Sequence, residues 1–234
     1  MTAPAPDPLA WLSELDGVPS AFAATRDGID VMLRDRGLRR TAPEQTAESL
    51  LVGAHASAVL EGSESSLEDV RAGSGDPLAL AAVRASTEVL SLVPVIGRSP
   101  LQTLARLHVL AGGNGAPGSA EGAARLQSLS RTLLATKAPA LLVAAVVHGE
   151  LLAARPFGTG DGLVARAAER LVLVARGVDP ASLVVPEAGH LALRPAYESN
   201  LRGYRDGGPA GVHSWLLYAA EAQARGAEES PLNR

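Results

Sequence analysis

The chain has 234 residues and a formal net charge of -4, and it is 47% hydrophobic but only 3% aromatic, so its core must be built from Ala, Leu and Val, a mixture that favours packed helices over a sheet sandwich. The absence of cysteine excludes disulfides, thiolate chemistry and Cys-ligated zinc together and fits a reducing cytoplasm, where we expect the protein. The acidic balance gives no general attraction to nucleic acid or to anionic membrane, no stretch approaches the roughly 20 apolar residues of a membrane span, and the N-terminus lacks the basic and apolar regions of a signal peptide, so neither nucleic acid nor membrane is expected as a partner.

Residues 1–8 are Pro-rich and read as a loose end. Trp11 to Leu15 and Ala21 to Leu38 have helical spacing, with Phe22, Ile29, Val31 and Leu33 apolar and a solvated basic exit from Arg34 to Arg40. Helix resumes at Pro43, a good first-turn residue, runs through Leu50, Leu51, Val59 and Leu60, and ends at Gly62. Asp76 and Pro77 start the next helix, and Pro94, Gly97 and Pro100 break the chain before Leu101 to Leu110. The run GGNGAPGSAEGAAR, residues 112–125, is the clearest non-helical segment. It lacks the β-branched and aromatic residues that pair as strands, so it reads as a flexible surface loop.

Leu126 to Thr136 and Ala140 to Ala154 are helices that lead to the most informative stretch, HGELLAARPFGTGDGLVARAAER, residues 148–170. Pro156 has no N–H and its ring clashes with the preceding turn, so the entering helix stops near Arg155. Gly158, Gly160 and Gly162 give the loop that follows its backbone freedom, and Asp161 is the expected N-cap of a helix from Val164 to Arg176. Such a loop offers free N–H groups at the positive end of a helix dipole, a seat for phosphate. Asp179 to Pro195, punctuated by Pro180, Pro186 and Pro195, reads as a connection. Tyr197 to Tyr204 and Val212 to Arg225 form a last helical pair whose Tyr197, Tyr204, Trp215 and Tyr218 read as core, and the polar tail after Gly226 is expected to fray. His148 reads as a core residue satisfied by a backbone carbonyl, and His55, His108, His190 and His213 show no metal-ligand spacing, so no structural zinc is expected. No P-loop or Rossmann fingerprint appears.

RPFGTGDGLVAR, residues 155–166, resembles the signature HPFx(D/E)GNGRxxR of the Fic (Fic/Doc, or Fido) family, which moves AMP or related phosphate-containing groups onto protein hydroxyls. Pro156, Phe157, Gly160, Gly162 and Arg166 are in place. Arg155 stands where the family has its catalytic His, Thr159 for the acidic metal ligand, Asp161 for Asn and Leu163 for the first Arg. SAVLEGS, residues 57–63, resembles the (S/T)xxxE(G/N) inhibitory motif of the N-terminally inhibited class, so Ser57, Glu61 and Gly62 are the implied inhibitory residues and Glu61 is expected to pair with Arg166. The resemblance implies an all-α Fic-fold bundle and a β-hairpin flap near residues 112–125, but the composition of that segment leaves little or no β-flap; the expected parts are an N-terminal helical lobe over residues 9–75, a Fic-like core over 76–226 and a tail over 227–234.

Guanidinium has no lone pair and stays protonated, so Arg155 cannot take the proton of an attacking hydroxyl, and loss of such a base costs about 10² to 10⁴ in rate. Thr159 is a poor Mg²⁺ ligand, and Leu163 removes a phosphate contact. The expected protein is a pseudoenzyme that binds a nucleotide or phosphate through Arg155, Gly160, Asp161, Gly162 and Arg166, or binds a protein partner. The alternatives are a rewired transferase in which Asp161 serves as base or Mg²⁺ ligand, and a purely structural helical module.

Overall fold

The structure, a computed structural model, describes residues 6–36 and 43–233. The described residues are helical and contain no strand. A 3₁₀ turn over Ala10–Glu14 leads into α1 (Val18–Arg36), and α2 (Pro43–Leu60), α3 (Leu67–Ala72), α4 (Pro77–Thr87), α5 (Val89–Ile96) and α6 (Pro100–Leu110) follow. After the glycine-rich segment come α7 (Ala120–Ala135), α8 (Ala140–Ala154), α9 (Asp161–Ala175), α10 (Pro186–Ala192), α11 (Arg194–Asp206) and α12 (Gly208–Glu228). No single described helix is long and apolar enough to cross a membrane.

α9 is the axis of the molecule. Every residue from Asp161 to Val174 is buried, and α8, α5, α6, α4, α2 and α10 all pack against it. Its small residues, Ala165, Ala167 and Ala168, let the neighbours approach on all sides. α8 carries apolar residues on every side and is buried from Leu141 to Gly149, which places the turn between α8 and α9 at one end of the core. α12 closes the bundle against α11, α10 and α1 through Trp215, Leu216 and Ala219, each fully buried.

Several elements depart from the sequence reading. α7 begins at Ala120 because the Ser119 hydroxyl accepts the Gly122 N–H at 3.0 Å and caps it, so the glycine-rich segment is shorter than expected. That segment is anchored rather than flexible: Gly118 N–H donates to the Pro156 carbonyl at 2.9 Å, and Gly115 N–H to His108 Nδ1 at 3.2 Å. Pro94 lies inside α5 rather than ending it. The expected connection over 179–195 holds α10, for which Pro186 is a first-turn residue and not a breaker. The tail is pinned: Leu232 is buried, and the Asn233 side chain donates to the Ala227 and Glu228 carbonyls at 2.9 and 3.0 Å. The expected loose end at 1–8 and basic exit at 34–40 fall partly outside the described residues.

Candidate functional site

The turn between α8 and α9 is built from strongly directional pieces. Arg155 caps α8 in a left-handed conformation (φ 43°), its N–H donating to the Leu151 carbonyl at 3.0 Å, and its side chain is exposed and makes a long contact, 3.4 Å, with the Gly158 carbonyl. Phe157 turns inward and stacks on His108 of α6 with ring centroids 4.1 Å apart. Gly160, at φ 67°, is the N-cap of α9, so Asp161 is the first helical residue and not the cap expected from the sequence. The Asp161 side chain points back into the turn, where Oδ1 accepts the Phe157 N–H at 3.0 Å while Oδ2 is buried without a hydrogen-bond partner. Burial raises its pKa from the ordinary aspartate value.

The first intrahelical bond of α9 runs from Val164 N–H to the Gly160 carbonyl, so the N–H groups of Asp161, Gly162 and Leu163 have no helical partner, as at any helix start. The carboxylate of Glu61, just past the end of α2, lies over this start. A methyl group added to Gly162 would come within 1.8 Å of Glu61 Oε1, so only glycine admits the carboxylate there. The same oxygen accepts from Arg166 Nη2 at 2.7 Å. Arg166 is fully buried, and its remaining donors go to the Ser57 hydroxyl (2.8 Å), the Ser57 carbonyl (3.1 Å) and the Tyr197 hydroxyl (3.1 Å). Ser57, Glu61, Gly162 and Arg166 therefore meet, while Arg155 and Thr159 stay on the exposed side of the loop. Gly62, at φ 101°, ends α2 in a conformation that favours glycine.

Leu163 does not face the loop. It is buried in a second apolar cluster with Ala54 and Ala58 of α2, Val70 of α3 and Ala79 and Ala82 of α4, so an apolar residue here fastens the N-terminal helices to α9. The donors at the loop fit a divalent cation poorly: one Asp161 oxygen accepts the Phe157 N–H and the other is buried inside the turn, Glu61 is engaged by Arg166, Thr159 is uncharged, and Arg155 places a fixed cation at the rim.

Behind Arg166 a buried polar network continues that the sequence reading missed. Tyr197 joins Arg166 to His148 Nε2 at 2.9 Å, and burial pushes its hydroxyl up to about 12. His148 Nδ1 meets Glu169 Oε2 at 2.6 Å, so its partners are a carboxylate and a phenol and not the backbone carbonyl expected. Desolvation lowers His148 to about 4, which keeps it neutral. Glu169 Oε2 also meets His190 Nε2 at 2.9 Å, and Gln223 Nε2 donates to Oε1 at 2.9 Å. One signal was present in the sequence. Glu169 stands in the run LVARAAERLVLVA, and a carboxylate on a wholly buried helix must have partners.

No family model matches the sequence, and no curated protein matches it. A solved structure does: a Fic family protein from Desulfovibrio desulfuricans G20, with a TM-score of 0.71 at 17% identity over 89% of this chain and 73% of that one. The chain has the all-α Fic fold.

Proposed function

We propose that this Fic-fold protein binds an anionic, phosphate-bearing ligand at the start of α9 in competition with its own Glu61, and does not carry out ordinary AMP transfer. The observation that carries this reading is the Glu61 carboxylate itself. It occupies the place over Gly162 where unpartnered helical N–H groups and the Arg166 guanidinium converge, as an anion would. Glu61 is a third exposed and Arg166 is buried, so the carboxylate is the part able to leave while the arginine stays. Arg155 adds a solvent-facing cation at the rim of the same loop. The loop presents no base at its surface: Asp161 is buried with Oδ1 on the Phe157 N–H, and Arg155 has no lone pair. The same burial counts against the rewired transferase, which needs Asp161 at the surface of the loop.

Calorimetric titration of ATP, GTP, CTP and UTP tests the reading. Glu61→Gly is expected to bind at least one nucleotide about tenfold or more tighter than the wild type, since the competing carboxylate and its contact with Arg166 are removed. Absence of heat for every nucleotide with both proteins would overturn the reading and favour a protein partner. Incubation of Glu61→Gly with labelled ATP and Mg²⁺ is expected to give no covalent AMP on itself or on lysate proteins.

A further inference from the structure

Three helices aim side chains of metal-ligating type at one point in the core. His148 on α8 and His190 on α10 each direct a ring nitrogen at Oε2 of Glu169 on α9, at 2.6 and 2.9 Å, and the three ligand atoms lie within 4.8 Å of one another. All three side chains are buried.

Three observations separate this cluster from an ordinary polar network. The first is charge. Arg166 faces Glu61 and Arg170 faces Glu187, and the hydrogen-bond partners of the Glu169 carboxylate among the described residues are two imidazoles and an amide. Taking a carboxylate out of water is costly unless a positive charge compensates; an imidazolium would supply a single charge, and a divalent ion held by neutral imidazoles supplies two. The second is orientation. The outer nitrogen of each ring is held by a phenol, His148 Nε2 by Tyr197 at 2.9 Å and His190 Nδ1 by Tyr218 at 2.8 Å, as the outer nitrogens of metal-bound imidazoles are held in place. The third is a spare donor: Gln223, which touches Glu169, keeps a buried Oε1 with no hydrogen-bond partner. Metal bonds of about 2.0–2.2 Å in a tetrahedral site set neighbouring ligand atoms roughly 3.3–3.6 Å apart, so the contacts at Oε2 need to open by about 1 Å or less to admit an ion.

We propose that His148, Glu169 and His190 hold one divalent first-row transition-metal ion of the zinc type, which clamps α8, α9 and α10 together. Two imidazoles and a carboxylate suit such an ion, and the buried setting makes the site structural, filled as the chain folds. The inference is independent of the anion seat at Gly162.

The test uses the full chain, purified without a metal-affinity tag. Elemental analysis after gel filtration is expected to find about one equivalent of metal per chain. Because the site is closed, the protein is also unfolded in guanidinium with EDTA and refolded in EDTA, in Zn²⁺ or in Co²⁺. The zinc-refolded protein is expected to melt at least about 5 °C above the EDTA-refolded one. The cobalt-refolded protein is expected to show visible d–d absorption, lost in Glu169→Gln. Metal-free protein that refolds to the same melting temperature in EDTA and in zinc, with no cobalt band, would overturn the proposal. That comparison needs only the wild-type chain, so it stands even if Glu169→Gln fails to fold.

Discussion

Arg155 holds two properties that pull against each other. A non-glycine residue in the left-handed region is strained by roughly 1 kcal/mol, and the φ of 43° there closes α8 so that the chain can turn toward α9. Its guanidinium meanwhile is exposed at the loop rim with one long contact. Arg155→Gly is therefore expected to raise stability by about 0.5–1 kcal/mol in urea titrations while weakening nucleotide binding in the Glu61→Gly background, and a loss of stability would show the cap to be unstrained. Asp179 presents a second residue-scale conflict. Its Oδ2 accepts the Val184 N–H at 2.7 Å, but Oδ1 is buried without a partner, and desolvation raises its pKa to about 6. A folded pKa above the unfolded value means that the folded state holds the proton more tightly, so the contribution is present below about pH 4 and is lost as pH rises through 6. Asp179→Asn keeps an oxygen for Val184 and removes the titration. The stability of the variant relative to wild type is expected to grow by about 1–3 kcal/mol between pH 4 and 6 and to stay level above, measured as urea midpoints across that range.

Among the elements, the glycine-rich segment ahead of α7 and the first turn of α7 shape the loop from behind. A methyl group on Gly122 would lie 2.3 Å from the Pro156 carbonyl oxygen, and one on Gly118 would lie 2.8 Å from the Phe157 oxygen, both rigid backbone atoms. The backbone of this segment thus replaces side chains as the wall of the loop. Gly122→Ala gains helix propensity of at most about 1 kcal/mol, which the overpacking, typically about 1–3 kcal/mol, outweighs. A net loss of stability is expected, whereas Gly28→Ala in α1, where a methyl group meets open space, is expected to gain; the two are compared in one series of denaturation curves. This is also where the sequence was least informative. Gly118 and Gly122 look like loop residues because glycine marks freedom as readily as close approach, and nothing local tells the two apart. α10 was hidden for a similar reason, since Pro186 starts a short helix as well as it ends one. By contrast Pro156 and Gly160 announced the turn between α8 and α9, because the position before a proline and the start of a helix leave few conformations open. The Glu61–Arg166 contact was within reach of motif order alone, but the hydrogen-bond partners of His148, Glu169 and Tyr197, lie on two other helices, and no local spacing encodes them.

At the scale of the molecule, α9 is tied to the rest by ion pairs threaded through an otherwise apolar core, and these decide how cooperatively it unfolds. Arg170 makes a bidentate pair with Glu187 of α10, at 2.9 and 2.6 Å, and spends its other donors on Ser49 of α2 and Ser182. Gly53 makes room for this pair, since a methyl group there would meet Arg170 Nη2 at 2.4 Å. Both charges are about 1% exposed, so removing one leaves the other stranded in the core. Glu187→Ala is expected to cost about 3–5 kcal/mol, while the exposed Arg26–Asp30 pair, 41% and 37% exposed, is expected to matter by less than about 1 kcal/mol when Asp30 is replaced by Ala. Replacing both members of the buried pair, Arg170→Met with Glu187→Leu, removes the stranded charge and is expected to recover most of the loss. Because α2, α9 and α10 share this pair, the destabilised single variant should still unfold in one step, with the fluorescence of the buried Trp215 and the helical circular dichroism changing at the same urea concentration. Separate transitions would mean instead that the N-terminal helices leave α9 on their own, and that the Glu61 contact is governed by a local opening of α2 rather than by the fold as a whole.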